Sequence, residues 1–412
     1  MKTMIAYEWK KIWTRKITWI TAAGAFVLFL LSCFGNVMNE EAYTKDGTHL
    51  CGAAAIQMKK QYIKELEGEL TSEKVAEYVR EFKQLYQENG KDIDEERKDA
   101  QFIKKYYYSY YYPKSYVYNY ILSGELRFDY VGDEVNFSGK ELEELTCDKE
   151  DFYKLKKQEY IKRVEKNRFR IYSEKEQKLL MEEYEKNDVV CEVKDQLGWQ
   201  AVNDNFPLSG MIVLVMCIGI APVFNQEYKT RMDAVILGTK YGKNKLIISK
   251  IVAAFLYATA LFAAMEVCIL LLDILFYGAG GWLLQQEQLK DYMCYLAGAY
   301  AVVLFLTGIN LLLSVYCKFT TPVLVLDILL LSMDMILYFV MPSTWRFHPI
   351  HYRAEVLLPG SQLKIGMADI LLPYSFGSVT VWRPAVGMIL YLGLAVLCIP
   401  LIIRGFRRHQ VK

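Results

Sequence analysis

Residues 251–277 read IVAAFLYATALFAAMEVCILLLDILFY, and only Glu266 and Asp273 in that stretch carry charge. A soluble amphipathic helix would repeat its apolar residues at i, i+3 and i+4, whereas this stretch is apolar on every face. Within hydrocarbon the backbone must satisfy its own hydrogen bonds, so the stretch reads as a membrane-spanning helix. About 20 residues at about 1.5 Å each cross a bilayer. The apolar run over 248–276 is longer than that, so it must tilt or protrude.

Five more runs of this kind lie at 17–34, 208–224, 292–315, 322–341 and 384–403. The expected fold class is therefore an all-α polytopic membrane protein with six transmembrane helices. A large, mainly α-helical extracellular insertion falls between the first two. Three parts follow: 1–38 (amphipathic elbow and first helix), 39–206 (extracellular domain) and 207–412 (five further helices). The last part carries a polar cytosolic loop at 225–247 and an outer re-entrant segment at 342–383.

The overall net charge of +2 hides a segregated chain. Residues 39–206 hold 28 basic and 36 acidic side chains, and the remainder holds 21 basic and 11 acidic. Of those 21, sixteen cluster on one side: five up to Lys16, six in 229–250, Lys318, and four from Arg404 onward. The short loops of the other side hold five: Lys290, Arg346, Arg353, Lys364 and Arg383. The positive-inside rule places the first set, and both chain ends, in the cytosol. Leu30-Leu31-Ser32-Cys33 loosely matches a lipoprotein cleavage site, but Leu31 is bulky and the apolar run is long, so a retained first helix is expected.

Ile5, Trp9, Ile12 and Trp13 share one face of the first 16 residues, with Lys10, Lys11 and Arg15 elsewhere. That pattern suits an amphipathic helix in the headgroup region. The insertion reads as long charged helices over 56–90 and 138–188, with Ser72 and Ser138 as N-caps and Gly90 as a stop. Between them, YYYSYYYPKSYVYNYILSGELRFDYVGDEV (106–135) is aromatic and β-prone and reads as a small hairpin region. Its tyrosines suit a small domain's core or, less often, an amphipathic or cationic ligand. Cys51, Cys147 and Cys191 lie outside the spans; three is an odd number and no pairing is readable.

No enzyme constellation emerges, so no catalytic residue and no metal centre is expected. Gly238–Asn244 is one residue short of a phosphate loop, and Asn244 stands where a Ser or Thr is required. His348, His351 and Glu355 approach one helix face, but Pro349 is expected to disrupt the turn. The carboxylates inside the runs are more informative. Glu266 and Asp273 are seven apart, as are Asp327 and Asp334, so each pair is expected on one helix face. Asn310 is a candidate neutral partner, and no Lys or Arg lies deep in a run to neutralise the acids. Buried acids at bilayer depth read either as a translocation pathway (Glu266, Asp273, Asn310, Asp327, Asp334) or as helix–helix hydrogen bonding.

The segment after the second run is the most specific. It reads FNQEYKTRMDAVILGTKYGKNK over 224–245, followed by IISK at 247–250. It resembles the corresponding loop of the ABC-2 type transporter permeases, with Glu227, Thr230, Leu237, Thr239, Lys243 and Lys250 at the matching positions. Gly242-Lys243 replaces the Pro and Arg that many members carry in the basic turn. The opening YEWKKIWTRKITWI resembles the family's N-terminal elbow. The resemblance spans the membrane part and leaves 39–206 unexplained. It implies the permease subunit of a bacterial ABC exporter in the cytoplasmic membrane. A separate ATPase subunit would carry ATP and Mg, and a second permease chain would complete a homodimer or heterodimer. No nucleic-acid partner is implied. Coupling to the ATPase would fall to Glu227, Thr230, Arg231, Met232, Val235 and Leu237. The alternative is a membrane-anchored sensor or ligand-binding protein that uses its external domain.

Overall fold

A computed structural model describes residues 1–81, 84, 108–123, 152–166, 171–186, 192–204, 207–230, 232, 245–278, 286–341, 348–364 and 372–408. The chain forms two compact units. One holds Met1–Cys33, Val202–Asp273 and Gln286–Lys412; the other holds Phe34–Ala201 and Ile274–Gln285.

The first unit is helical and built for a bilayer. Five helices are long and apolar enough to cross one: Lys16–Met38, Gly210–Lys229, Ile247–Tyr277, Leu289–Tyr316 and Arg383–Arg408. They are the first, second, third, fourth and last spans below. The second is 67% buried and the first 17%, so the second runs through the middle of the unit and the first along its edge. Leu271, Leu275, Leu31 and Val396 are exposed, as lipid-facing side chains are, because hydrocarbon is as good a solvent for them as a protein core. The fourth and last spans pack closely. At Gly308 a Cβ would stand 3.0 Å from the Cys398 Cβ, tighter than ordinary contact, so glycine eases that approach.

The run at 322–341 is not one straight helix. It is a pair, Thr320–Leu331 and Met333–Val340, bent by 60° at Ser332. The protein is thus a multi-pass helical membrane protein with five candidate spans among the described residues, or six if the bent pair crosses as one. The short helix Pro359–Gln362 packs against the bend. Its Gly360 lies so close that a Cβ would stand 2.4 Å from the Leu331 carbonyl oxygen and 2.5 Å from Asp334 Oδ1. The bend lies between Asp327 and Asp334, which sit on two helices rather than on one helix face as the seven-residue spacing suggested.

Within 342–383 the described parts are two short helices, Pro349–Glu355 and Pro359–Gln362, and an antiparallel hairpin pairing Pro373–Phe376 with Val379–Trp382. Pro349 does not disrupt the first helix. It stands in the first turn, where its missing N–H is no loss. Arg383 and Tyr391 of the last span hold these pieces by their carbonyls, donating to Val356 O and Leu357 O, and Gln362 of the second short helix also donates to Val356 O.

The second unit is mostly helical among its described residues, with two small antiparallel pairs: Glu41–Tyr43 with His49–Cys51, and Gly68–Glu69 with Glu192–Val193. Its core gathers Val37, Ile56, Ile63, Val75, Val117, Tyr118 and Tyr277. Tyr277 ends the 31-residue helix Ile247–Tyr277, and its residues from Ile274 on belong to the second unit.

Two local expectations in this unit need correction. Within the tyrosine-rich stretch, of which 106–107 and 124–135 lie outside the described residues, Tyr112–Ser123 is a helix rather than strand. Pro113 sits in its first turn, where proline is tolerated, and Tyr111 and Tyr118 stack at 5.5 Å, so aromatic packing outweighs β-propensity. The helix at 72–81 is capped by Thr71 rather than Ser72, with the Lys74 N–H donating to Thr71 Oγ1 at 3.4 Å. Gly90, Ser138, Cys147 and Cys191 lie outside the described residues, and Cys51 is a free, exposed thiol.

Candidate functional site

The N-terminal helix Lys2–Trp13 has an apolar side that carries one acid, Glu8. Glu8 is buried, and Lys250 Nζ donates to its Oε2 at 2.9 Å. The same ammonium lies 2.6 Å from Glu227 Oε1 and donates to the Val223 carbonyl at 3.4 Å. All three Lys250 protons thus have an acceptor, and the side chain is 1% exposed. Lys11, three residues past Glu8, reaches Glu227 Oε1 at 3.3 Å. One lysine therefore joins three elements: the N-terminal helix, the helix Pro222–Lys229 and the start of the third span.

Arg15 adds to this cluster. It donates to the Gly219 carbonyl at 3.1 Å. Burial lowers its pKa, while the charges of Glu8 and Glu227 and the nearby Tyr257 act to raise it. Two buried carboxylates thus face three cations, which is what makes burial of the acids tolerable. The backbone beside Glu227 is fixed from the fourth span: Ser314 Oγ accepts from the Phe224 and Asn225 N–H groups and donates to Asn225 Oδ1 at 3.1 Å. Phe406 of the last span packs on Phe224 at 5.2 Å.

Beside these ion pairs runs an open groove of about 660 Å³ between the N-terminal helix and Pro222–Lys229. Met4, Tyr7, Gln226, Thr230, Met232 and Leu246 line it, together with Glu8, Lys11 and Glu227. Three residues assigned to coupling, Glu227, Thr230 and Met232, meet there. Thr230 and Met232 are exposed, while Glu227 is spent on internal ion pairs. Arg231, Val235 and Leu237 lie outside the described residues, as do Thr239, Lys243 and the glycine-rich stretch 238–244.

The buried polar groups of the spans are held one by one. Glu266 accepts from the Tyr292 and Tyr295 hydroxyls at 3.2 and 3.0 Å, both from the fourth span. Asn310 Nδ2 donates to Asp327 Oδ1 at 2.7 Å, joining the fourth span to the first half of the bent pair. Asp334 pairs with Lys364 at 2.8 Å, so one of these acids does have a cation, supplied by the 348–364 segment rather than by a span. Asp273 is buried on the same helix as Glu266. His348 and His351 have ring centroids 5.3 Å apart, and no group of three or more metal-ligating side chains exists among the described residues.

Sequence reading missed Glu8, Lys11 and Ser314. Glu8 did carry a signal: it is the single acid in a basic, aromatic opening, and an isolated opposite charge on an apolar face asks for a buried partner. Ser314 carried none. Scans against protein-family models and searches of curated proteins and of solved structures find no match to the chain.

Proposed function

We propose that this chain is the membrane-spanning permease subunit of an ATP-driven ABC exporter of the ABC-2 type. A separate cytosolic ATPase would carry ATP and Mg and energise it. One observation carries this reading. The polar segment that resembles the family's coupling loop and the amphipathic N-terminal helix are joined through Lys250 and enclose a groove lined by Thr230 and Met232. Groups exposed in that groove can meet a partner, while the ion pairs beneath couple its walls to the third span. The groove side is the cytosolic side in this reading, which places 39–206 outside the cell. Two such chains, alike or related, would form the complete pathway, and the buried acids Glu266, Asp273, Asp327 and Asp334 with Asn310 are its candidate lining.

The test is purification of the tagged chain from native membranes in mild detergent. An ATPase with a phosphate loop should co-purify, and Met232→Asp should lower its recovery at least tenfold while the chain still inserts. Repeated purification of the intact chain with no ATPase would overturn the reading in favour of a membrane-anchored sensor.

A further inference from the structure

The last span, Arg383–Arg408, treats the arginines at its two ends differently. Arg383 is buried, and its guanidinium donates to the Val356 carbonyl at 3.2 Å. Arg404, Arg407 and Arg408 are exposed and, with Pro400 and Ile403, border a shallow open cleft of about 510 Å³ whose lining comes from this one helix. From Pro384 to Ile403 the helix rises about 29 Å, the thickness of the hydrocarbon core. The three arginines therefore stand at the level of the lipid phosphates.

The helix face continues the pattern into the apolar zone. Leu397, Leu401, Arg404 and Arg408 follow one another at spacings of four, three and four, so they share one stripe. Both leucines are exposed. The opposite side of the same turn is packed, with Phe406 on Phe224, and on the flank between them the Tyr316 hydroxyl rests against Gly405, where a Cβ would stand 2.7 Å away. The exposed stripe thus offers an apolar track leading up to a cationic cleft, with a tyrosine beside it of the kind found at membrane interfaces.

We propose that this cleft binds an anionic phospholipid. Its phosphate sits on Arg404 and Arg408, and an acyl chain lies along Leu397 and Leu401. The two requirements, a negative head and an apolar tail about one helical turn apart, are those of a lipid rather than of a free anion. The proposal does not depend on the exporter reading, since it needs only that the last span cross a bilayer.

The experiment is native mass spectrometry of the full chain in mild detergent, titrated separately with phosphatidylglycerol and phosphatidylcholine. Phosphatidylglycerol should bind at least tenfold more tightly. At about fivefold for each basic residue near a lipid surface, R404Q/R408Q should weaken that binding ~25-fold and leave phosphatidylcholine unchanged. Removing the same charge from Lys64 and Lys178, exposed in the second unit, as K64Q/K178Q, should have no effect. Should R404Q/R408Q fail to fold, the single variant R404Q carries the test with about a fivefold loss. Equal affinity for the two lipids, full binding by the arginine variants, or an equal loss in K64Q/K178Q would overturn the proposal. So would displacement of phosphatidylglycerol by millimolar inorganic phosphate, which would make the cleft a phosphate site.

Discussion

Lys250 Nζ lies 2.6 Å from Glu227 Oε1, and both side chains are almost wholly removed from solvent. Such a pair is costly to break from one side only, because the partner left behind keeps its charge without compensation. Lys250 also holds Glu8 at 2.9 Å, so its loss strands two carboxylates.

Lys250→Met should therefore cost about 3–5 kcal/mol, read as a large drop in the thermal midpoint of the detergent-solubilised protein. Glu8→Gln together with Lys250→Met should recover part of the loss, because Glu227 still has Lys11 at 3.3 Å. A midpoint for Lys250→Met equal to wild type would show that these ion pairs do not hold the N-terminal helix.

Gly360 packs into the bend of the Thr320–Val340 pair, and a methyl group there would meet the Leu331 carbonyl oxygen at 2.4 Å and Asp334 Oδ1 at 2.5 Å. One of those atoms is backbone and cannot step aside cheaply. Gly360→Ala should destabilise by about 1–3 kcal/mol, the usual penalty of overpacking. Gly393, in the last span with open space around it, is the control. Gly393→Ala should cause no loss, since alanine is the better helix former by up to about 1 kcal/mol. Equal midpoints for the two variants would mean that the short helix does not wedge the bend.

The five long spans were legible because all-round apolarity is a local property of about 20 consecutive residues. The bend at Ser332 was not, because the run on either side of it is equally apolar; what fits into the bend is Gly360, almost thirty residues further on. Glu227 and Lys250 were legible only as two of the six matching positions in a resembling loop. That they bind each other and Glu8 could not be read, since Glu8 and Lys250 are 242 positions apart and only folding brings them together. Seven-residue spacing assumes an unbroken helix, which holds for Glu266 and Asp273 on Ile247–Tyr277 and fails for Asp327 and Asp334, which the bend at Ser332 separates. The tyrosine stretch failed for another reason: residue type favoured strand, and packing of Tyr111 on Tyr118 decided for helix.

In the second unit, Asp46 accepts hydrogen bonds from the hydroxyls of Thr44 and Thr48, and these hold its carboxyl below the usual carboxylate range. The sign follows from linkage. A carboxylate whose folded pKa is lowered stabilises the fold above its unfolded value, and that contribution is lost as pH falls through the folded value. Thr44→Val with Thr48→Val should raise the Asp46 midpoint towards that of a free aspartate. Carbon-13 titration of selectively labelled aspartate would show it. An unmoved midpoint in the double variant would remove the hydroxyls as the cause.

Glu266 takes two tyrosine hydroxyls from the fourth span, at 3.2 Å from Tyr292 and 3.0 Å from Tyr295. If this cluster serves only to join two helices, what matters is that no polar group is left alone. Tyr295→Phe should then cost about 1–3 kcal/mol, because it strips a donor from a buried acid. Tyr292→Phe and Tyr295→Phe combined with Glu266→Leu should be close to neutral, because acceptor and donors vanish together. A role in a translocation pathway demands more of the same residues: the triple variant would fold with near wild-type stability yet fail to support ATP-dependent transport in reconstituted vesicles. The two measurements on one protein therefore separate the roles. Stability restored and transport lost assigns Glu266 to the pathway, whereas stability and transport restored together assigns it to helix packing.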